Sequence, residues 1–304
     1  IKNSIESVHG SKMYLTLEPC CHYGKTPPCT NLIIKCKISE VIYSVSDIDI
    51  RVKNKSLKTL ESRNIKVRKG LLEQKVNNFY STYFFNRKRK LPFVTGKIAV
   101  SKNNLIYSKL NKKITNTMAD KFTHLLRYKN DSLMISYKTL NNDNPRLNCR
   151  LKGLNKFSPK RIILDNKLNT KINSFIINTA NKSNTIIFYN KASKTKILDF
   201  KKKGINLIHS KIDNKGKFDI KILLKKLYKL NCRNLLIEGG DVLTKYLLSK
   251  KIYNRFFLYE SDKKLSKKSE YLKFTSLNLL KHKYKNKINL KLNLGKNKIT
   301  LYKN

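Results

Sequence analysis

Two cysteines, Cys20 and Cys29, are the residues of this chain whose type and spacing point most directly to chemistry. They lie nine positions apart and bracket a turn-rich loop that follows an apolar alternating run, Met13 to Leu17. Cysteine thiolates are preferred zinc ligands, and a catalytic zinc needs three protein ligands and an open position for water. The pair therefore predicts part of a zinc site, with Cys21 and His22 as competing ligands inside the loop.

A second set of residues includes two arginines that could bind an anion, although a single Arg among 67 basic residues is more often a solvated surface charge. Arg127 and Arg150 flank the run from Thr139 to Pro145, and a guanidinium group matches the geometry of phosphate oxygens. Further along, Glu238-Gly239-Gly240 follows an apolar run and precedes a helical one. Glycines permit close backbone approach, and a helix N-terminus favours an anion such as a pyrophosphate. The segment predicts a strand, a tight turn and the start of a helix.

The elements that must position these residues alternate along the chain. Short apolar strands such as Met13–Leu17 and Asn234–Ile237 are separated by helical stretches such as Thr117–Tyr128. This alternation is typical of an α/β protein with a mostly parallel sheet covered on both faces. We expect one helix from Leu71 to Phe85, and we assign little structure to the Lys/Asn/Leu-rich run from Lys263 to Asn297.

Composition limits the classes of protein. Hydrophobic residues make up 40% of the 304 residues, which is enough for buried cores, and no run approaches the roughly 18 apolar residues of a membrane span. Six irregularly spaced cysteines indicate reduced thiols and a cytoplasmic location. The formal net charge of +48 suits a nucleic-acid binder, but the lysines are spread along the chain among abundant Asn and Ile. That pattern is typical of an AT-rich genome, so we expect neither a nucleic-acid nor a membrane partner.

The loop around the cysteine pair resembles that of a known family. Leu17-Glu18-Pro19-Cys20 followed by Gly24-Lys25-Thr26-Pro27-Pro28-Cys29 is similar to the zinc loop of the bifunctional riboflavin-biosynthesis deaminase–reductases. Cytidine and tRNA deaminases use a shorter Pro-Cys-x-x-Cys spacing. The resemblance implies the C-terminal part of a zinc-dependent deaminase domain, with a cytidine-deaminase-like α/β/α fold, over residues 1–88. It implies a dihydrofolate-reductase-like α/β domain over residues 92–304. Between the two, the basic run Asn86–Lys90 followed by Pro92 is itself typical of a solvated linker and predicts the boundary.

The resemblance also implies groups that this chain does not contain. The family's third zinc ligand, a His, and its acid/base Glu belong to a His-Ala-Glu motif upstream of Cys20, whereas Ile1 lies only 19 residues before Cys20. By the family's spacing, the chain begins just after that motif, as an N-terminally truncated member. Without the His, zinc binds more weakly, and without the Glu no group carries protons to the leaving ammonia. We therefore expect no catalytic deaminase residue and no deaminase activity here, with Zn²⁺ a cofactor of the full-length protein.

Motifs of the second domain extend the resemblance over nearly the whole chain. They are Pro92–Ser101, His124–Arg127, Thr139–Arg150, Arg161–Asn166 and Ile237–Gly240. The resemblance implies NADPH-dependent reduction of 5-amino-6-(5-phosphoribosylamino)uracil to the ribityl compound. NADPH, a phosphorylated pyrimidine substrate and a homo-oligomer formed through the reductase domain are therefore expected. The positions that match the family's substrate contacts are Arg127, Leu147, Arg150 and Glu238, and those that match its cofactor contacts are Ala99, Thr139, Asp143, Asn166, Gly239 and Gly240.

Three alternatives stay open because the sequence departs from the family's pattern. The family's Leu-Asp-Gly after the first reductase strand is replaced by Lys102-Asn103-Asn104, an aromatic residue by Lys113, and an Asp-Pro-Asn turn by Asp47-Ile48-Asp49. These changes fit a decayed pseudoenzyme with a structural role. The charge fits a nucleic-acid-binding or RNA-editing deaminase, and Glu238-Gly239-Gly240 alone fits a different NADPH reductase of this fold.

Overall fold

The computed structural model describes Ser4, residues 6–111 and residues 113–304, and these residues form two compact units. One unit ends at Lys90, and the other runs from Leu91 to Asn304. The division falls at the end of the basic run. None of the described helices is long and apolar enough to cross a bilayer.

The first unit alternates strands and helices, as its sequence pattern predicts. Its elements are β1 (Lys12–Leu17), α1 (Cys29–Lys35), β2 (Glu40–Val45), α2 (Lys55–Glu61), β3 (Lys66–Lys69), α3 (Glu73–Phe79) and α4 (Ser81–Arg89). Among the described residues, three strands pair in parallel in the order β1–β2–β3. The central strand β2 is buried along its whole length, and Ile33, Val41, Leu60 and Ile65 form a core with it.

The expectation of one helix from Leu71 to Phe85 is wrong. The chain forms α3 and α4 instead, and Leu72 enters α3 in the left-handed region at φ 55°. Tyr80 separates the two helices, and its hydroxyl lies 2.9 Å from the Thr16 hydroxyl on β1. The solvated-linker interpretation of the basic run is also wrong, because Arg87, Lys88 and Arg89 form the last turn of α4. Cations are favourable there because the carboxyl end of a helix carries partial negative charge.

The second unit contains the larger sheet. Its strands are β4 (Phe93–Val100), β5 (Leu105–Ser108), β6 (Ser132–Ser136), β7 (Lys160–Leu164), β8 (Thr185–Tyr189), β9 (Asn206–His209), β10 (Asn234–Ile237), β11 (Arg255–Glu260), β12 (Tyr271–Lys273), β13 (Asn286–Asn289) and β14 (Lys298–Lys303). Its helices are α5 (Thr117–Tyr128), α6 (Tyr137–Asp143), α7 (Phe175–Asn178), α8 (Lys194–Lys202), α9 (Ile220–Lys229), α10 (Asp241–Ser249) and α11 (Leu277–Lys283), with a short 3-10 turn at Asn155–Phe157.

Nine of the described strands form one twisted sheet in the order β13–β14–β11–β4–β10–β6–β7–β8–β9. The pairings from β11 to β9 are parallel, whereas β14 runs antiparallel to both β11 and β13. Hydrophobic cores cover both faces, because successive residues of a strand point to opposite sides. Met134 packs into one core, and its neighbours Leu133 and Ile135 pack into the other. The expected mostly parallel, two-faced sheet is confirmed.

The middle of this sheet brings together the segments that carry chemistry. β10 lies between β4 and β6, and Ile237 at its end pairs with Gly96 on one side and Met134 on the other. The next residues, Glu238 and Lys97, therefore lie on neighbouring strands at one level of the sheet. Because all three strands are parallel, the loops that follow β6 and β10 emerge at the same edge.

The run from Lys263 to Asn297, to which the sequence pattern assigns little, contains β12, α11 and β13. β12 pairs with β5 in a separate two-stranded ribbon, and β13 extends the edge of the large sheet. These strands are short and mostly exposed, so they lack the apolar alternation that identifies a half-buried strand in a sequence.

Candidate active site

A buried ion pair between Arg127 and Glu238 lies at the centre of the site. Arg127 occupies the last turn of α5, and Glu238 follows β10 directly. Nε and Nη2 of Arg127 donate hydrogen bonds to the two carboxylate oxygens of Glu238 at 2.8 and 2.9 Å. The third nitrogen, Nη1, donates to the carbonyl of Asn148 at 3.2 Å. All three guanidinium nitrogens are thus engaged, and the planar fork fixes the orientation of the carboxylate.

The pair holds both of its members in their charged forms. Burial opposes ionisation of Glu238, but the charge and hydrogen bonds of Arg127 outweigh it and lower the pKa of this carboxyl to about 2. Burial likewise opposes the charge of Arg127, and attraction to Glu238 overcomes it, so the pKa of the guanidinium is raised. The site therefore contains a fixed carboxylate at neutral pH.

Lys97 brings a second cation to the same place. Its Nζ lies 4.8 Å from the ring centroid of Tyr259 on β11, in a cation–π contact. Burial lowers the pKa of Lys97, and attraction to Glu238 partly offsets that effect. Neither the motifs nor the spacing of the sequence identifies this residue as part of a site. The available signal was a lysine inside the apolar run Phe93–Val100. Lysine is rarely buried unless it is paired with another group.

His124 and Arg150 extend the site towards its rim. The backbone N–H of Arg150 donates to Nδ1 of His124 at 3.3 Å. Burial lowers the pKa of His124, and the charges of Arg127 and Arg150 lower it further, so the ring is neutral at pH 7. The Arg150 side chain is exposed and donates from Nη1 to the Asn148 side-chain oxygen at 3.0 Å. An exposed guanidinium group suits an anion that arrives from outside.

The loop between α6 and Arg150 has an unusual backbone. Asn144 and Leu147 both adopt the left-handed region, with φ of 40° and 52°, which is uncommon for a residue that carries a side chain. Leu147 is 2% exposed and packs in the core, so the structure does not present it to a substrate directly. Asp143, the last residue of α6, is exposed.

Gly239 and Gly240 lie where the sequence places them, between β10 and α10. Gly240 is the N-cap of α10 and leaves its first N–H groups without a side-chain cap. A Cβ built on Gly240 would find Oγ1 of Thr139 at 3.8 Å as its nearest neighbour. Thr139 is itself held by Ser136, the N-cap of α6, whose hydroxyl lies 3.2 Å from Oγ1. The two helix starts thus form an open cradle of N–H and hydroxyl groups, which fits a phosphate-bearing cofactor.

A cavity of about 380 Å³ continues from this cradle. It is bordered by Ser136 from α6, Asn166 after β7, and Val242 and Leu243 from α10. Its volume lies in the range of small-molecule sites. Of the expected cofactor residues, Asn166 lines this cavity, and Thr139 and Gly240 lie next to its border at Ser136. Ala99 is half-buried on β4, beside Tyr259 in the sheet register.

The cysteine pair forms a separate arrangement in the first unit. Sγ of Cys20 accepts the backbone N–H of Cys29 at 3.2 Å, and the Cys20 carbonyl accepts that of Thr30 at 3.1 Å. The loop therefore brings the two residues together at the start of α1. Burial and the neighbouring Cys20 raise the pKa of the Cys29 thiol. His9 is exposed and precedes β1.

These residues do not complete a zinc site. Among the described residues, no group of three or more His, Cys, Asp or Glu side chains is arranged to hold a metal ion. Cys20 and Cys29 supply two thiols, whereas a catalytic zinc needs three protein ligands.

Comparison with known proteins identifies the family. The sequence profile described as RibD C-terminal domain matches residues 105–264. The riboflavin biosynthesis protein RibD of Actinobacillus pleuropneumoniae is 32% identical over 260 residues, which cover 85% of this chain and 68% of that protein. The chain belongs to the RibD family.

Solved structures agree with this assignment. RibD from Acinetobacter baumannii superposes with a TM-score of 0.81 at 21% identity, covering 97% of this chain and 81% of its own, and shows the shared fold. A diaminohydroxyphosphoribosylaminopyrimidine deaminase/5-amino-6-(5-phosphoribosylamino)uracil reductase from Thermotoga maritima gives 0.79 at 25% identity, covering 98% and 80%. The expected α/β fold, with a deaminase-like part followed by a dihydrofolate-reductase-like part, is confirmed by these RibD relatives.

RibD membership favours one of the interpretations that the sequence left open. A nucleic-acid-editing deaminase and an unrelated reductase of the same fold both lose support, because the profile match covers the reductase region and the relatives are riboflavin-biosynthesis proteins. The individual residue roles are not addressed by these matches and stay predictions.

Proposed function

We propose that this RibD-family chain reduces 5-amino-6-(5-phosphoribosylamino)uracil with NADPH in riboflavin biosynthesis. The observation that carries the proposal is the buried Arg127–Glu238 pair with Lys97 beside it, next to the uncapped N-terminus of α10. A fixed carboxylate, a half-buried ammonium group and an anion cradle at one sheet edge suit reduction of a polar, phosphorylated substrate. The Thermotoga relative is named for this reductase activity.

Several residues would hold the cofactor. We assign the pyrophosphate to the backbone of Gly239 and Gly240 with Thr139, and neighbouring contacts to Ala99, Asp143 and Asn166. When bound, NADPH supplies the hydride. The protein residues orient the reactants, and positioning alone accounts for a large part of such a rate.

The substrate would bind on the other side of the ion pair. Arg150, exposed at the rim, is assigned to the substrate phosphate, since a guanidinium group matches the geometry of phosphate oxygens. Arg127 acts through Glu238, because its nitrogens are already engaged. Glu238 stays ionised and accepts hydrogen bonds from substrate N–H or O–H groups, and Leu147 is assigned to the substrate side as well.

Lys97 is assigned the proton that must accompany reduction of the open-chain sugar carbon. Burial lowers the pKa of its ammonium group, which makes it a better proton donor than an exposed lysine. The cation–π contact with Tyr259 keeps the group in place.

Hydrolytic deamination is not part of the proposal. Cys20 and Cys29 are proposed as two ligands of an incomplete zinc set, and no step is assigned to a metal that the described residues do not fit. All six cysteines lie within the described residues and are free thiols, which fits the proposed reducing, cytoplasmic location. A homo-oligomer stays a prediction.

The test is substrate-dependent oxidation of NADPH, which is measured as the loss of NADPH absorbance. The purified chain is expected to turn over, and Lys97→Met should lower kcat by about 100-fold or more, the usual effect of losing a general acid. Lys121→Met is the matched control because Lys121 is exposed on α5, and it should leave kcat unchanged. Failure of the unaltered chain to oxidise NADPH at high enzyme concentration would leave the pseudoenzyme interpretation in place.

A further inference from the structure

The cavity beside α10 has walls of two different characters. Its apolar lining includes Leu164, Ile220, Leu223 and Leu243, and its volume of about 380 Å³ lies in the range of small-molecule sites. Its charged lining is of one sign. Among the described residues that border it, Lys138, Lys215 and Lys217 are cationic and none is acidic.

Two of these lysines are presented by a built turn rather than by a loose surface loop. The backbone N–H groups of Lys215 and Lys217 donate to Oδ1 of Asp213 at 2.9 and 2.8 Å. Gly216 between them adopts φ +70°, which a residue with a side chain rarely does. A bridge between Ile212 and Phe218 closes the turn. The Asp213 carboxylate is thus used on the turn's own backbone.

The Lys217 side chain is also held in place. Its Nζ lies 4.9 Å from the ring centroid of Tyr246 on α10, and the Tyr246 hydroxyl donates to the carbonyl of Phe218 at 3.1 Å. The turn and the helix are therefore tied together around the ammonium group. A positioned lysine loses less side-chain entropy when it binds an anion than one that is free in solvent.

We infer that Lys215 and Lys217, with Lys138 on the same cavity, bind the phosphate on the ribose of the cofactor's adenosine half and so select NADPH over NADH. The inference rests on the proposed function, because it assigns the adenosine half of the cofactor to this cavity. The adenine ring would pack on the apolar residues of the cavity. The lysines would bind the additional ribose phosphate, a dianion that NADH lacks. Asn166 adds an amide donor whose Nδ2 lies near Gly216.

The experiment measures binding by calorimetry, so it does not depend on turnover. The probes are 2′,5′-ADP, which carries the extra phosphate, 5′-AMP, which lacks it, and inorganic phosphate. The full chain should bind 2′,5′-ADP at least about tenfold more tightly than 5′-AMP, the difference that one or two charge-assisted contacts produce. Lys217→Gln, and more strongly Lys215→Gln with Lys217→Gln, should remove that preference and leave 5′-AMP binding unchanged.

Lys225→Gln is the matched control. Lys225 is exposed on α9 and does not border the cavity, so its loss removes the same charge without the same contact. Kinetics on the same variants should show the kcat/KM for NADPH falling while that for NADH stays constant. Circular dichroism and melting temperature verify that each variant folds.

Each contrary outcome has one meaning. Equal binding of 2′,5′-ADP and 5′-AMP by the unaltered chain, or no binding of either, overturns the inference, and NADPH oxidation by that chain then still supports the proposed function. An equal loss of 2′,5′-ADP affinity in Lys217→Gln and Lys225→Gln would mean that the lysines act only through the overall positive charge, which contradicts a specific site. Displacement of 2′,5′-ADP by equimolar inorganic phosphate would mean the same. Selective 2′,5′-ADP binding without reductase turnover would instead count against the proposed reaction alone.

Discussion

Arg127 and Glu238 depend on each other because each is a charge with little access to water. The ion pair leaves 11% of the Arg127 side chain and 14% of the Glu238 side chain exposed. A buried pair is not a large source of net stability, since both charges lose hydration. Removing one partner is costly because the other charge is left uncompensated. The pair therefore fixes the position of Glu238 and is sensitive to any change in either residue.

Glu238→Gln is expected to destabilise the chain by about 3 kcal/mol at pH 7. The folded chain lowers the pKa of Glu238 from its ordinary value of 4.5 to about 2. The stabilisation is therefore complete above about pH 5 and is lost as the pH falls through the folded pKa. The difference in unfolding free energy between the two proteins should shrink by about 1 kcal/mol between pH 6 and pH 3.5. Urea unfolding at several pH values measures it.

Glu260→Gln supplies the control for this effect. Glu260 ends β11 and is exposed, so its substitution should change the unfolding free energy by no more than about 0.5 kcal/mol. A pH-independent difference for Glu238→Gln would mean that the carboxylate is not stabilised by Arg127 in the way described.

Single residues of the site differ in how well the sequence predicted them. Arg127 and Glu238 were named from motifs, but their pairing was not, because they are 111 positions apart and only the fold joins them. Lys97 was hidden among the 67 basic residues of the chain. Leu147 was named as a contact, and the structure adds that its side chain faces the core. A sequence motif can identify a single site residue. The residue that it pairs with depends on how distant helices and strands pack, which the motif does not contain.

The N-terminus of α10 positions the backbone groups that are proposed to bind the cofactor. Gly240 begins α10 without a side-chain cap, and the first residue of the helix, Asp241, turns its carboxylate away from the cradle. That carboxylate accepts the backbone N–H groups of Thr275 and Ser276 at 3.0 and 3.2 Å and both of their hydroxyls at 2.5 and 2.7 Å. An acidic side chain next to a pyrophosphate site would repel the ligand, so this clamp keeps its charge elsewhere while it anchors the helix.

Asp241→Ala should therefore affect stability and cofactor binding together. Loss of the charge-assisted bonds is expected to lower the unfolding free energy by about 1–3 kcal/mol and to raise the KM for NADPH several-fold, with kcat little changed. Asp241→Asn, which keeps part of the hydrogen bonding, should lie in between. Urea unfolding and steady-state kinetics measure the two effects.

Ser193→Ala is the comparison. Ser193 caps α8, where its hydroxyl accepts the N–H of Lys196 at 3.3 Å, and its loss should cost about 1 kcal/mol without any change in KM. A KM effect of the same size in both variants would show that loss of stability, rather than the position of α10, weakens cofactor binding.

The sequence predicted helices and strands best where one buried face gives the apolar residues a regular spacing. α5 and β10 have the predicted bounds, Thr117–Tyr128 and Asn234–Ile237. α6 was missed, because Asn-rich residues have low helix propensity and its start depends on the Ser136 cap. The strands β12 and β13 were also missed, because all of their residues are exposed and no apolar alternation marks them in the sequence.

Among the residues that the structure describes, the hydrophobic cores of the two units have no residue in common. Ile33, Val41, Leu60 and Ile65 belong to the core of the first unit, and the larger cores draw on residues from Val94 to Tyr302. A domain with its own core can fold by itself. The sequence predicted the division from the basic run, although it mistook the run for a linker, since a charged helix end and a charged loop have the same composition.

The last prediction follows from this separation of cores. All residues proposed for the reductase lie in the second unit, so a fragment of residues 91–304 should unfold in one cooperative transition. Its kcat and its KM for NADPH should stay within about twofold of those of the full chain. Thermal unfolding and the NADPH oxidation assay measure both, and the complementary fragment of residues 1–90 should oxidise no NADPH. If the larger fragment folds but loses turnover that the full chain has, then residues of the first unit contribute to the reductase site, and the assignment of that site to the second unit alone is wrong.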